Sequence, residues 1–240
     1  MEELHLTEKR VTVIHDVGAT TAPLSAMNAE SQAALTPDNA LAALKDGNRR
    51  FAAGASISRD LMMQVGQTRA GQWPHSIVLG CVDSRVPPET VFDQGIGDIF
   101  SARVAGNIAT SGLIGSIEFA VAVAGAKLVV VMGHTSCGAV QASCDNVDFG
   151  HITPLVKQIQ PSIAAVQEAT GETSTSKNMA FVDKVAEHNV FQQVAKLRAQ
   201  SKVVRDLEVA RSIKVVAAMY DLETGKVAFM STDFVDAVSL

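Results

Sequence analysis

The stretch "SIVLGCVDSRVPPE" (residues 76–89) decides how the rest of the chain is interpreted. Its first five residues are apolar or small, include β-branched side chains and end in glycine, which is typical of a buried strand. Cys81, Asp83 and Arg85 follow at every second position, so their side chains would point in roughly the same direction if the strand continued. Two prolines stop the strand soon afterwards. A thiol, a carboxylate and a guanidinium are therefore predicted at a strand end, where ligands bind in open α/β sheets.

Composition narrows the class of protein. The chain has 240 residues, 47% of them apolar, and a formal net charge of -5, which is enough for one well-filled core. No basic stripe indicates a nucleic-acid surface, and no apolar run is as long as a membrane span, so we expect neither partner. Three cysteines give no disulfide framework, which favours a reducing, cytoplasmic location. The first 30 residues make a poor signal peptide, although periplasmic export remains an alternative.

Strand and helix patterns alternate through the middle of the chain. They predict an α/β fold with a mostly parallel central sheet flanked by helices and an N-terminal helical arm. Residues 1–34 are expected to be a loosely ordered arm, and 35–240 a single domain. The predicted elements are a helix at 37–53 capped by Thr36 and closed by Gly54, strands at 76–80, 99–104 and 126–133, a helix capped by Ser111, helices near 152–169 and 178–201, and a hairpin at 214–230.

A second strand end carries further soft ligands. The segment "GHTSCGAV" (133–140) places His134 and Cys137 three residues apart at the start of a helix, close enough to bind one ion. Two thiolates and an imidazole suit tetrahedral Zn²⁺, and three protein ligands leave the fourth position for water. Any one cysteine is more often a buried small hydrophobe, but the set with Cys81 favours a metal site. Cys144 has no such partner and is assigned to the core.

Asp83 and Arg85 allow three interpretations. The carboxylate is either a fourth metal ligand or a hydrogen-bond acceptor for metal-bound water, held away from the metal by a bidentate pair with the guanidinium. The alternative is an ordinary surface ion pair of little energetic consequence.

Three motifs together resemble the β-class carbonic anhydrases very closely: "CVDSRVPPE" (81–89), "RVAGN" (103–107) and "GHTSCGAV" (133–140). The resemblance runs from about residue 36 through the final hairpin. It implies one zinc per chain held by Cys81, His134 and Cys137, with Asp83 and Arg85 as a dyad. It further implies reversible hydration of CO2 to bicarbonate and a proton, by attack of a zinc-bound hydroxide that the dyad orients.

The resemblance also implies a partner and a substrate pocket. Family dimers bury each active site near the subunit boundary, so a homodimer or a dimer of dimers is expected. By similarity, Gln72 donates a hydrogen bond to bicarbonate, Phe100 lines an apolar CO2 slot, and Gly138 supplies a backbone donor. One departure is Phe119 in "SIEFA", where family members often have tyrosine.

A subgroup of the family switches itself off when the aspartate closes on zinc, and its members have a tryptophan three residues before the first zinc cysteine. This chain has Val78 there, and its one tryptophan is Trp73. Arg103 and Tyr220 match other residues of that subgroup's bicarbonate pocket, but both are common outside it. The resemblance therefore implies the open-site, bacterial type, with Asp83 paired to Arg85 at neutral pH.

Two alternatives remain at this point. One is a relative on the same scaffold that hydrolyses carbon disulfide or carbonyl sulfide, which are linear and apolar like CO2. The other is a non-catalytic zinc protein with a closed four-ligand site, in which Asp83 or Cys144 is the fourth ligand.

Overall fold

Five strands form one sheet in the computed structural model, which describes residues 24–231. The strands are β1 (Ser76–Gly80), β2 (Ile99–Arg103), β3 (Leu128–His134), β4 (Lys214–Tyr220) and β5 (Val227–Met230). Their order is β2-β1-β3-β4-β5, with all pairs parallel except the antiparallel β4–β5 hairpin. The predicted α/β class with a mostly parallel sheet is confirmed.

Helices cover both faces of this sheet. They are α1 (Ala29–Ala34), α2 (Pro37–Ala52), α3 (Leu61–Thr68), α4 (Pro88–Val91), α5 (Ser111–Glu118), α6 (Gly138–Cys144), α7 (Ile152–Val156), α8 (Gln160–Thr170), α9 (Met179–Gln200) and α10 (Lys202–Val209). Short 3₁₀ turns lie at Ala105–Asn107 and Lys157–Ile159, and a π-helical turn at Phe119–Val123. No helix within residues 24–231 combines the length and the apolar character that crossing a bilayer requires.

Local signals placed the two ends of α2 correctly. Thr36 caps α2 with a reciprocal capping box to Asn39, and Gly54 follows the helix at φ +66°, as the sequence predicts. The cap of α5 is Thr110 rather than Ser111, since the Thr110 hydroxyl accepts from the Leu113 amide. The helix expected over 152–169 is divided, because a proline near its middle cannot continue the preceding turn and starts α8 instead.

Alternate residues of the central strands enter two separate cores. Val78, Val130 and Met132 pack with α2, α4, α6 and α8 on one face, whereas Leu79 and Val131 pack with α5 and α10 on the other. Every residue of β1 and β3 is buried, as expected for central parallel strands covered on both faces. Cys81 and Cys137 belong to the first core, so the end of β1 and the start of α6 are packed into it.

The predicted N-terminal arm includes residues 1–23, which lie outside the described residues. Within residues 24–34, α1 packs against the sheet domain. Buried Gln32 donates hydrogen bonds to the carbonyls of Pro74 and Ala124, each at 2.8 Å, and the Ala26 amide donates to Gln67. These contacts are polar and distant in sequence, so hydrophobic periodicity gave no sign of them.

A buried carboxylate joins α2 to the segment that follows it. The Asp93 side chain is only 3% exposed and accepts from Arg50 Nε and Arg59 Nη1, both at 2.5 Å. Burial alone would raise the pKa of Asp93, but the hydrogen bonds from the two guanidinium groups outweigh it, so that pKa is lowered. The ionised carboxylate is therefore a structural anchor for the chain between residues 50 and 59.

Asp93→Asn should lower the free energy of unfolding by about 3 kcal/mol at pH 7, because two arginines lose a buried counter-charge. Asparagine tolerates the φ of +47° at this position, so the change is mainly one of charge. A carboxyl with a lowered folded pKa stabilises above its unfolded value of about 3.9, and that contribution disappears as the pH falls through the folded pKa. Urea unfolding of both proteins from pH 7 downward should show the difference constant above about pH 5 and shrinking below it.

The matched control is Asp46→Asn. Asp46 pairs with Arg49 on the exposed face of α2. The Asp46→Asn variant should therefore lose less than about 0.5 kcal/mol of its free energy of unfolding. Equal losses for the two variants, or a difference that does not change with pH, would contradict a buried anchoring role for Asp93.

Candidate metal centre and active site

The predicted soft ligands meet at one edge of the sheet. Because β1 and β3 are adjacent and parallel, their carboxyl ends lie side by side. Cys81 directly follows β1, His134 is the last residue of β3, and Cys137 is the N-cap of α6. Neighbouring strand ends thus bring together residues that are more than 50 positions apart in the sequence.

The three side chains form a compact, buried group. Their ligand atoms all lie within 4.8 Å of one another, and the sulfurs of Cys81 and Cys137 are 4.0 Å apart. Two sulfurs bound tetrahedrally at about 2.3 Å from zinc would be about 3.8 Å apart. Within residues 24–231 this is the one group of three or more His, Cys, Asp or Glu side chains arranged to share an ion.

The orientation of His134 fits a metal ligand. Its Nδ1 is 2.9 Å from the Thr135 carbonyl, which can only accept, so Nδ1 carries the hydrogen and Nε2 presents its lone pair. Nε2 is buried without a hydrogen-bond partner. A buried polar atom is rarely left unpaired, and a free imidazole lone pair within 4.8 Å of two thiol sulfurs is what a zinc site uses. The residues present therefore fit the metal that the sequence implies.

The turn that joins His134 to Cys137 is held from two sides. Ser136 has a left-handed φ of +55°, and its amide donates to Asp183 Oδ1 on α9 at 2.7 Å. The Thr135 amide donates to the Tyr220 carbonyl at the end of β4. Sequence reasoning missed Asp183, because nothing in the sequence around it points to a turn nearly 50 residues earlier.

The pKa values of the two thiols are shifted in opposite directions, because a hydrogen bond of 4.0 Å joins their sulfurs. The pKa of Cys81 is lowered to about 4, chiefly by the hydrogen bond from Cys137, despite burial that opposes ionisation. The pKa of Cys137 is raised well above its ordinary value by that same contact and by burial. The Gly106 amide also donates to Cys81 Sγ at 3.4 Å. One sulfur is therefore a thiolate at neutral pH.

Asp83 and Arg85 form the bidentate pair that the sequence allowed. Nε of Arg85 donates to Oδ1 at 2.9 Å, Nη2 donates to Oδ2 at 2.6 Å, and the Arg85 amide also donates to Oδ1. The guanidinium lowers the pKa of Asp83 to about 2, so the carboxylate is ionised at neutral pH. Its Oδ2 lies 3.9 Å from His134 Nε2, so the carboxylate faces the ligand group without belonging to it.

Arg103 has a contact that the sequence did not indicate. From the end of β2 it donates to the carbonyls of Cys81 (2.8 Å) and Asp83 (2.5 Å), and so clamps the loop that carries one ligand and the carboxylate. The parallel β1–β2 register, which pairs Gly80 with Arg103, places the guanidinium beside this loop. With the strand order known, the sequence would have predicted this position of Arg103 beside the loop.

The predicted substrate residues divide into two groups. Gly138 adjoins Cys137, is exposed, and has open space where a side chain would be. Gln72 is exposed before the start of β1, at the opposite end of that strand from Cys81. Phe100 belongs to the core on the other face, where it packs edge-to-face on Phe119 with ring centres 6.3 Å apart. A single chain therefore does not bring Gln72 or Phe100 to the metal ligands.

Cys144 stays outside the ligand group, as predicted. It is 3% exposed in the core, and burial raises the pKa of its thiol.

Comparisons with known proteins identify the family of this chain. The carbonic anhydrase family model matches residues 76–227. Carbonic anhydrase 2 of Mycobacterium tuberculosis is 36% identical over 197 residues, which cover 79% of this chain and 91% of that protein.

Solved structures share the fold. The β-carbonic anhydrase CafA of Aspergillus fumigatus superposes with a TM-score of 0.66 and 26% identity, covering 82% of this chain and 95% of that one. A tetrameric β-carbonic anhydrase of Sordaria macrospora superposes with a TM-score of 0.65 and 22% identity, covering 81% and 98%. With a family model spanning more than half of its length and a relative of this identity over most of it, the chain belongs to the β-class carbonic anhydrases.

Proposed function

We propose that this protein catalyses the reversible hydration of CO2 to bicarbonate and a proton, at a zinc centre formed by Cys81, His134 and Cys137. The observation that carries the proposal is the buried, unpaired Nε2 of His134, which lies with two thiol sulfurs within 4.8 Å and has an ionised carboxylate beside it. Zinc bound by these ligands supplies a Lewis acid that lowers the pKa of water to about 7.

Asp83 and Arg85 are proposed to orient the reacting water. An ionised carboxylate accepts hydrogen bonds only, so Asp83 fixes the direction of an O–H group beside the ligands and leaves an oxygen lone pair free to face the carbon of CO2. Arg85 keeps both carboxylate oxygens engaged and so prevents Asp83 from turning to the metal. Gly138, an exposed residue next to Cys137, is proposed to donate its backbone amide to an oxygen of the product bicarbonate.

We further propose the open-site type at neutral pH. Support comes from the bidentate Asp83–Arg85 pair and from Val78, which is fully buried in the core at the position where the closing subgroup has tryptophan. The Arg103 guanidinium is engaged by two backbone carbonyls, so it already has partners. A ligand shifts a conformational equilibrium only by its differential affinity, and these residues offer nothing that favours the closed state.

Stopped-flow hydration of CO2, with and without a chelator, tests the proposed function. Hydration that is lost on chelation and restored by zinc is the expected result. Parallel assays with carbon disulfide and carbonyl sulfide address the alternative substrates, and turnover of these alone would overturn the assignment. Retained zinc with no turnover of any of the three would indicate a structural metal.

The substrate pocket is proposed to need a second copy of the chain. Gln72 and Phe100 do not approach the metal ligands of their own chain, so a partner subunit is the source we propose for both groups. The tetrameric relative of Sordaria macrospora supports self-association, as a homodimer or a dimer of dimers.

Mixed dimers test this arrangement sharply. A Cys137→Ser chain and a Gln72→Ala chain, coexpressed with different tags and purified together, should recover about half of the unmodified activity, because one site then has an intact metal centre and an intact Gln72. Each variant assembled with itself serves as the control and should be nearly inactive. Activity no higher than that of the Gln72→Ala dimer would mean that Gln72 acts within its own chain, and an active monomer by light scattering would refute the partner requirement.

A further inference from the structure

A hydrogen bond to the Cys81 sulfur depends on the shape of one short turn. The donor is the Gly106 amide, 3.4 Å from Sγ, in the 3₁₀ turn Ala105–Asn107. Gly106 has φ +72°, and a Cβ there would lie 2.9 Å from Ile159 Cδ1, so the turn accepts glycine alone without rearrangement. The Ala105–Gly106 peptide group must keep this orientation for the Gly106 N–H to reach the sulfur.

Two buried side-chain amides on α9 hydrogen-bond to the backbone of that turn and of the residues that follow it. Asn189 Nδ2 donates to the Gly106 carbonyl at 2.9 Å, and Asn189 Oδ1 accepts from Gln193 Nε2 at 2.9 Å. Gln193 Oε1 in turn accepts from the Ala109 amide at 2.9 Å. Asn189 is fully buried and Gln193 is 3% exposed, so no water competes for these bonds. The two side chains lie one helical turn apart, and they hydrogen-bond to both ends of the segment 106–109.

We infer that Asn189 and Gln193 form an amide relay that positions the Gly106 N–H on the Cys81 sulfur and thereby tunes the metal centre, an inference that rests on the metal site proposed above. Neither side chain contacts a ligand, so both are positioning residues. A hydrogen bond to a thiolate withdraws charge from sulfur, and groups that orient a metal ligand commonly change metal affinity by about 10–100-fold when they are removed. The relay thus connects the middle of α9 to the charge on the metal.

The test replaces each amide by an apolar side chain of similar size, in Asn189→Leu and Gln193→Met, and measures metal binding without any substrate. Competition with a chelator should show zinc affinity reduced about 10-fold or more. With Co²⁺ in place of zinc, the sulfur-to-cobalt charge-transfer band should move to longer wavelength, because the sulfur lone pair loses the hydrogen bond that stabilises it. The double variant should resemble the stronger single variant, because the two residues act through one contact.

Asn48→Leu is the matched control. Asn48 is a buried amide on α2 that also makes three hydrogen bonds, to Val91, Gly225 and Val227, and none to the metal loops. It should lower the denaturation midpoint in urea as the relay variants do, yet leave the cobalt band and the zinc affinity unchanged.

Two results would overturn the inference: an unshifted cobalt band in both relay variants, or zinc affinities that fall no further than in Asn48→Leu. Gln193→Met provides the readout if Asn189→Leu does not fold, because it leaves the bond to Gly106 without its support. Hydration by the unmodified protein is measured separately. An inactive protein with a shifted band would remove the proposed function and keep the relay, whereas an active protein with unshifted bands would remove the relay alone.

Discussion

Serine in place of Cys137 is expected to remove both the zinc and the hydration activity. Cys137 is one of the three residues proposed to bind zinc, and a serine hydroxyl does not ionise at neutral pH to replace its thiolate. Binding free energies of structural zinc sites are on the order of 10 kcal/mol, so loss of one ligand should weaken binding by at least about 100-fold. Elemental analysis after gel filtration should show far less than one zinc per chain, and stopped-flow hydration should fall to background.

Cys144→Ser provides the control within the same helix. Cys144 is buried like Cys137 but lies outside the ligand group, so this variant should keep its zinc and its activity. Loss of zinc from Cys144→Ser would support a closed site with that sulfur as a ligand. Full zinc content in Cys137→Ser would show that the metal is held elsewhere.

Alanine in place of Arg85 should leave the zinc content unchanged and reduce kcat/KM by about 100-fold or more, the loss expected when a group that orients the reactants is misplaced. The Arg85 hydrogen bonds are the largest cause of the lowered pKa of Asp83, so that pKa should rise in the variant. The freed carboxylate, already 3.9 Å from His134 Nε2, is then expected to turn and occupy the metal's open position. A crystal structure of the variant at neutral pH should show Asp83 bonded to zinc.

Two controls separate charge from geometry. Arg85→Lys keeps the charge but loses the planar fork, so its activity should fall between those of the unmodified protein and the alanine variant. Arg49→Ala removes the partner of an exposed carboxylate on α2 and should change nothing in the assay. Asp83 already bonded to zinc in the unmodified protein at pH 7, with Arg85 turned away, would disprove the open-site proposal.

The convergence of the ligands was predictable from the sequence because it depends on a few strong local signals. Cys81 and His134 each end an apolar β-branched run, and parallel strands bring such ends to one edge of a sheet. The spacing of His134 and Cys137 then needs only a tight turn before α6. The order of the strands, and hence the place of Arg103, required contacts between segments that no short window of sequence contains.

Residues that support the site from α9 were harder to find, although one signal existed. Asn189 and Gln193 continue the buried stripe of Val182, Val185 and Leu197, so two amides occupy positions where a helix of this pattern has apolar residues. Buried amides predict hydrogen-bond partners but do not identify them. The roles of Gln72 and Phe100 came from the resemblance alone, and one chain by itself places them away from the ligands.

The two members of the dyad differ in their access to solvent. The Asp83 side chain is 16% exposed, whereas that of Arg85 is 55% exposed. Small anions in the medium can therefore compete with Asp83 for the guanidinium, and ionic strength weakens a pair that is partly in water. We therefore expect the rate of the proposed reaction to depend on buffer anions, so rates measured in different buffers should be compared only at matched anion content.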